Sequence, residues 1–131
     1  MATDQNKIQK DLRQWFEAFN ARDWDRLDRL SDEIYAADYT LHDPGSPNPG
    51  RGPSMVKQFA RGIVQQSPDV RMTPEDVFGE GDRLACRLTG SSTNASTGKR
   101  VSTSVLWISR YVGNQCMEDW ELVGQPTEVP A

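Results

Sequence analysis

One histidine is present, His42, and it stands directly before Asp43 in a run that continues Pro44-Gly45-Ser46-Pro47-Asn48-Pro49-Gly50. An imidazole exchanges a proton near neutral pH without special tuning. A carboxyl can do so when burial raises its pKa. Neighbouring residues of an extended segment point to opposite sides, so one of the pair is expected to face any cavity. A second run, Met117-Glu118-Asp119-Trp120-Glu121, lies near the C-terminus. On a strand, Met117, Asp119, Glu121 and Val123 share one face, while Cys116, Glu118, Trp120 and Leu122 take the other. In an apolar hollow, Asp119 would be a proton shuttle useful near neutral pH. Both runs also have plainer readings. Asp43 caps a Pro-Gly loop, His42 is a hydrogen-bonded wall residue, and Asp119 and Glu121 are solvated charges on an outer face.

The same counts exclude other chemistry. One histidine rules out a His–His metal site within a chain, and two cysteines rule out a four-thiolate zinc site. Cys86 and Cys116 match no CxxC motif. No metal and no cofactor are expected. His42 has no supported nucleophile partner for a Ser-His-Asp triad, and Gly79-Glu80-Gly81 reads as a hairpin turn, not a phosphate loop. Fifteen basic against nineteen acidic residues, a net charge of -4, argue against a nucleic-acid partner. Two thiols suggest a reducing compartment. The polar start, Met1 to Lys7, is unlike a signal peptide, and no apolar stretch approaches the ~18 residues of a membrane span. A cytoplasmic protein without a membrane partner is the expectation.

The elements that must position these groups follow from periodicity. With 131 residues, one domain is expected, over residues 1–124, with a flexible tail at 125–131. Ile8, Leu12, Trp15 and Phe19 form one apolar stripe, which predicts a helix over residues 3–21. Trp24, Leu27 and Leu30 predict a second over 23–31. Residues 34–41 suit a strand. Four prolines and three glycines in the stretch from His42 through Pro53 exclude helix and central strand, so this is a structured loop. Pro53 suits the first turn of a third helix over 54–66. Four β segments follow, around 70–78, 83–92, 100–111 and 115–123, separated by turn signals at Gly79–Asp82, Ser91–Lys99 and Gly113-Asn114. The pattern is α+β: three helices in the N-terminal half packed on a curved antiparallel sheet, forming a cone. Its mouth is a natural small-molecule pocket.

Several runs resemble the nuclear transport factor 2-like superfamily and, within it, the SnoaL-like polyketide cyclases. They are Phe16-Glu17-Ala18-Phe19-Asn20-Ala21-Arg22-Asp23-Trp24, Tyr39-Thr40-Leu41-His42-Asp43-Pro44 with Pro49-Gly50-Arg51-Gly52, Gly79-Glu80-Gly81-Asp82-Arg83-Leu84, and Met117-Glu118-Asp119-Trp120-Glu121. The last sits where the family often carries Glu-His-Trp-Asp, so Asp119 replaces a frequent His and Glu121 an Asp. The resemblance implies the cone-shaped α+β barrel-like fold, often a homodimer through the sheet, with an apolar cavity and one or two acid–base residues.

It also implies a role for particular residues. Asp119 is the first expectation for a general acid/base, with His42 and Asp43 at the pocket mouth second. Trp15, Phe19, Tyr39, Met55, Phe59, Trp107, Trp120 and Glu121 are expected around a flat polyketide or aromatic substrate. The Tyr39 hydroxyl is a candidate to hold an enolate oxygen. The implied activity is a cofactor-independent cyclase or isomerase of secondary metabolism. Epoxide hydrolases, dehydratases and non-catalytic binding or assembly modules share the fold. A limonene-type hydrolase would want an Asp where Cys86-Arg87-Leu88-Thr89 carries Thr89. A ketosteroid isomerase would want a Tyr and an Asp where Trp15 and a residue near Ser104 stand, although Asp43 fits its general base.

Overall fold

Capping sets the first element. In the computed structural model, which describes residues 2–130, helix α1 spans Gln5–Ala21, and the Asp4 side chain accepts hydrogen bonds from the Asn6 and Lys7 amides. Ile8, Leu12, Trp15, Phe16 and Phe19 are buried along one side. The helix stops at Arg22, which adopts a left-handed conformation with φ 56°. Its guanidinium donates to the carbonyls of Phe19, Pro68 and Val70, at 2.9, 3.0 and 2.6 Å. These bonds tie the end of α1 to the approach of the sheet. Helix α2, Trp24–Ile34, is capped by Asp23 and runs straight into strand β1, Tyr35–His42.

The Pro-rich loop then leads to α3, Gly52–Gln66, with a proline in its first turn. Gly52 has φ +71°, and a Cβ there would lie 2.6 Å from the Ala37 carbonyl oxygen. Only glycine allows the loop to return so closely to β1. Strands β2 (Arg71–Glu80), β3 (Arg83–Thr93), β4 (Arg100–Val112), β5 (Gln115–Val123) and β6 (Thr127–Glu128) complete the chain.

The sheet order is β1-β5-β4-β3-β2, and β6 pairs with β4. Strand β1 runs parallel to β5; the other pairs are antiparallel. The sheet is curved but not closed, since β1 and β2 are its two edges. Its concave face and the three helices enclose the core. No helix among the described residues is long and apolar enough to cross a membrane.

The parallel β1–β5 pair makes the sheet mixed where an antiparallel one was expected, and two further details differ from the expectations. The register of β4 with β5 passes from Arg110–Glu118 to Tyr111–Cys116, so Met117 is an extra residue on β5. This bulge resets the alternation. Cys116, expected on the outer side, is turned inward and is buried with Asp119. The C-terminal segment is also partly ordered. Strand β4 extends beyond the Val105–Val123 end of its pairing with β5, leaving backbone groups unpaired. Thr127 and Glu128 pair with Ser102 and Val101 there.

Candidate active site

The cone holds a cavity of about 630 Å³. Trp15, Phe16, Tyr35, Tyr39, Met55 and Trp107 form much of its apolar wall. Three carboxyls, from Asp43, Asp119 and Glu121, also line it. A larger hollow of about 1130 Å³ lies between the Pro-rich loop and the outer face of the sheet. The inner cavity is the better candidate despite its smaller volume, because only it contains Asp119 and the two tyrosines. Asp43 and Glu121 border both hollows.

Asp119 sits at the buried end. Tyr39 donates to its Oδ2 at 2.6 Å, Ser109 donates to Oδ1, and the Cys116 thiol approaches Oδ1 at 3.5 Å. Burial raises the carboxyl's pKa, while hydrogen bonds from Ser109, Tyr39 and Cys116 oppose that rise. Burial pushes the Cys116 thiol and the Tyr39 phenol upward too, and the charge of Asp119 adds to both shifts. All three donors therefore keep their protons. Ser109 was not expected, but it is legible as the β4 residue sharing a face with Val105, Trp107 and Tyr111. Cys116 was hidden by the bulge.

Glu121 and Asp43 form the second carboxyl group. Asp43 Oδ1 accepts from the Gly45 amide at 2.7 Å, so the residue does fix its loop. Its carboxyl also lies close enough to Glu121 to raise the pKa of that group. Two carboxyls can share a hydrogen bond only if one carries a proton. Glu121 is the one that keeps it. Its pKa is pushed up to about 8, first by burial, then by Asp43 and by the charge of Asp119.

A pH dependence of stability follows. Between the ordinary glutamate value of 4.5 and about 8, the folded chain holds a proton that the unfolded chain has released. The stabilisation linked to this group is complete below pH 4.5 and is lost as pH rises through about 8. In a thermal-melt series, wild type should lose midpoint relative to Glu121→Gln across that window. Parallel curves for the two proteins would contradict the assignment.

His42 lies elsewhere. In the parallel register it stands beside Trp120, one residue past the Leu41–Asp119 pair, and both His42 and Trp120 point to the outer face. Its Nε2 is 2.8 Å from Glu118 Oε2, and its ring stacks on Trp120 at 5.4 Å. Arg110 donates to the other Glu118 oxygen at 2.8 Å. Bonds from His42, then Arg110, hold Glu118 below its ordinary pKa. One of the His42–Asp43 pair was expected to face the cavity, and alternation at the end of β1 turns Asp43, not His42, inward. Trp120 likewise leaves the expected substrate wall.

Phe19 is completely buried behind Trp15, with which it stacks at 5.8 Å, and does not line the cavity. Trp15, Tyr39, Met55, Phe59, Trp107 and Glu121 do. Tyr35 joins them beside Tyr39, with ring centroids 4.6 Å apart.

The profile of the SnoaL-like domain matches residues 12–117. Among solved structures, TsrD from Streptomyces laurentii superposes with a TM-score of 0.75 at 21% identity, covering 92% of this chain and 90% of that one. IdmH from Streptomyces antibioticus, provisionally described as a polyketide cyclase, gives 0.74 at 22%, covering 88% and 91%. AclR from Streptomyces galilaeus, provisionally described as a hydroxylase, gives 0.73 at 18%, covering 92% and 81%. No functionally curated protein matches the chain. At these identities the structural likeness is one of fold, and the chemistry must come from the site.

Proposed function

The chain belongs to the SnoaL-like domain family, and from that premise we propose that it is a cofactor-independent cyclase or isomerase acting on a polyketide-like or aromatic carbonyl compound. The observation that carries this reading is that the Asp43 and Glu121 carboxyls line one aromatic-walled cavity, near enough for Asp43 to raise the pKa of Glu121. Like-charged carboxyls in contact share one proton, which supplies a base and an acid side by side. Asp43, ionised, takes a proton from the carbon beside a carbonyl. Glu121 gives its proton to the oxygen of the carbonyl that the resulting carbon nucleophile attacks, or to the isomerised carbon. After transfer the proton on Asp43 returns to Glu121, so the pair ends as it began. Asp119, its oxygens engaged by three donors, positions Tyr39 and the β5 backbone.

The test uses 2-tetralone, a flat bicyclic ketone with exchangeable protons beside its carbonyl. The protein should accelerate deuterium uptake at those carbons in deuterium oxide, read by proton NMR. No acceleration over buffer would remove the reading.

The chain also pairs with a second copy in this reading. Phe78, Leu106, Ile108, Trp120 and Leu122 lie exposed on the sheet's outer face, Leu106 at 52% and Leu122 at 63%. The charged side chains among them are already paired within the chain, as in Arg87–Asp76 and Arg110–Glu118. A two-fold axis would set this apolar patch against itself. Leu106→Glu should convert a dimer to a monomer in sedimentation. A wild-type protein that sediments as a monomer would contradict the pairing.

A further inference from the structure

Proton removal beside a carbonyl also needs a donor that holds the carbonyl oxygen while charge develops on it. A phenol has one O–H to donate. That of Tyr39 is engaged with Asp119 Oδ2 at 2.6 Å, so Tyr39 cannot also donate to a substrate. The Trp15 indole N–H is engaged with the Ser31 hydroxyl at 2.9 Å. Of the three tyrosines, Tyr111 does not line the cavity. Tyr35 does, and among the described residues its hydroxyl has no hydrogen-bond partner. Yet no buried side-chain oxygen or nitrogen among those residues is unsatisfied. The Tyr35 hydroxyl is therefore not sealed in protein, and the cavity is the hollow that its side chain lines.

Resting on the acid–base reading above, we propose that Tyr35 is the hydrogen-bond donor that holds the substrate's carbonyl oxygen in this cavity. Tyr35 is the first residue of β1 and pairs with Cys116 on β5. Cys116 lies three residues before Asp119 on that neighbouring strand, near enough for the charge of Asp119 and, more weakly, of Glu121 to act on the Tyr35 phenol. Burial, then those charges, push the phenol well above its ordinary pKa. It keeps its proton throughout the physiological range and can only donate to an oxygen that gathers negative charge. Asp43 and Glu121 would exchange protons at carbon and at the second carbonyl, and Tyr35 would stabilise the enolate oxygen between those steps. The ring is held for this by its tilted contact with Tyr39 at 4.6 Å, and Tyr39 is itself fixed by Asp119.

The experiment reads the infrared carbonyl band of carbonyl-labelled 2-tetralone bound to the protein. A donor lowers that frequency. In wild type the band should lie below its position in hexane. In Tyr35→Phe it should return most of the way, and deuterium exchange should fall about a hundredfold. Tyr39→Phe and Trp107→Phe should keep the low band. A band unchanged in Tyr35→Phe, or one restored instead by Tyr39→Phe or Trp107→Phe, overturns the inference. So does a wild-type band at the hexane position, or a probe that does not bind.

The band needs no turnover. A low band that Tyr35→Phe abolishes, without any exchange, would support Tyr35 as the donor while defeating the acid–base reading. If Tyr35→Phe does not fold, 3-fluorotyrosine-labelled wild type replaces it. Tyr39→Phe and Tyr111→Phe assign the Tyr35 fluorine resonance by elimination, and that resonance must move when the probe is added. A resonance that stays in place overturns the inference.

Discussion

Glu121→Gln should lower protein-catalysed deuterium exchange of 2-tetralone by at least about a hundredfold, the usual contribution of a positioned acid–base group. The amide keeps the size and an N–H donor but cannot release a proton to a carbonyl oxygen. Asp43→Asn should cause a loss of similar size, because the pair works as one unit and removing either member removes the shared proton. The wild-type rate should fall as pH rises through about 8, where Glu121 loses its proton. The Gln variant should lack that descending limb. Near-normal exchange in Glu121→Gln would mean that the proton moves through another group.

Asp119→Ala should destabilise the fold by about 3–5 kcal/mol. The substitution leaves two buried hydroxyls, from Tyr39 and Ser109, without their acceptor, and each such group costs about 1–3 kcal/mol. A small void adds to this. Asp119→Asn keeps the volume and one acceptor oxygen, so its cost should be about 1–2 kcal/mol. Urea unfolding of the three proteins checks both values. A loss below about 1 kcal/mol for Asp119→Ala would show that the network contributes little. The exchange assay separates the roles further. Asp119→Asn should reduce turnover less than Glu121→Gln does, since in the proposed mechanism Asp119 holds Tyr39 and moves no proton.

Much of the architecture was legible because its signals are local. The stripe of Ile8, Leu12, Trp15 and Phe19 marks α1, Asp4 and Asp23 cap the first two helices, and glycine turns separate the strands. The inward turn of Asp43 and the outward turn of His42 follow from period-two alternation. The choice between them does not, because it depends on the register of β1 against β5, a contact across about eighty residues. The Met117 bulge was equally hidden. Nothing in the Gln115–Val123 segment marks the extra residue, and without it Cys116 would seem to face outward. The pairing of Thr127–Glu128 with β4 was missed because two residues carry no periodicity. The largest gap concerns chemistry. The resemblance favoured Asp119 as the proton carrier, whereas the structure surrounds Asp119 with donors, and the proposal moves that role to Asp43 and Glu121. Hydrogen-bond direction cannot be read from residue order.

At neutral pH Glu121 and Asp43 should share one proton. Carbon-13 NMR of side-chain carboxyl-labelled glutamate, with Glu121 assigned by its Gln variant, follows that proton through a pH titration. The expected midpoint for Glu121 in wild type is about 8, moving down in Asp43→Asn. A wild-type midpoint near 4.5, the ordinary glutamate value, would contradict it.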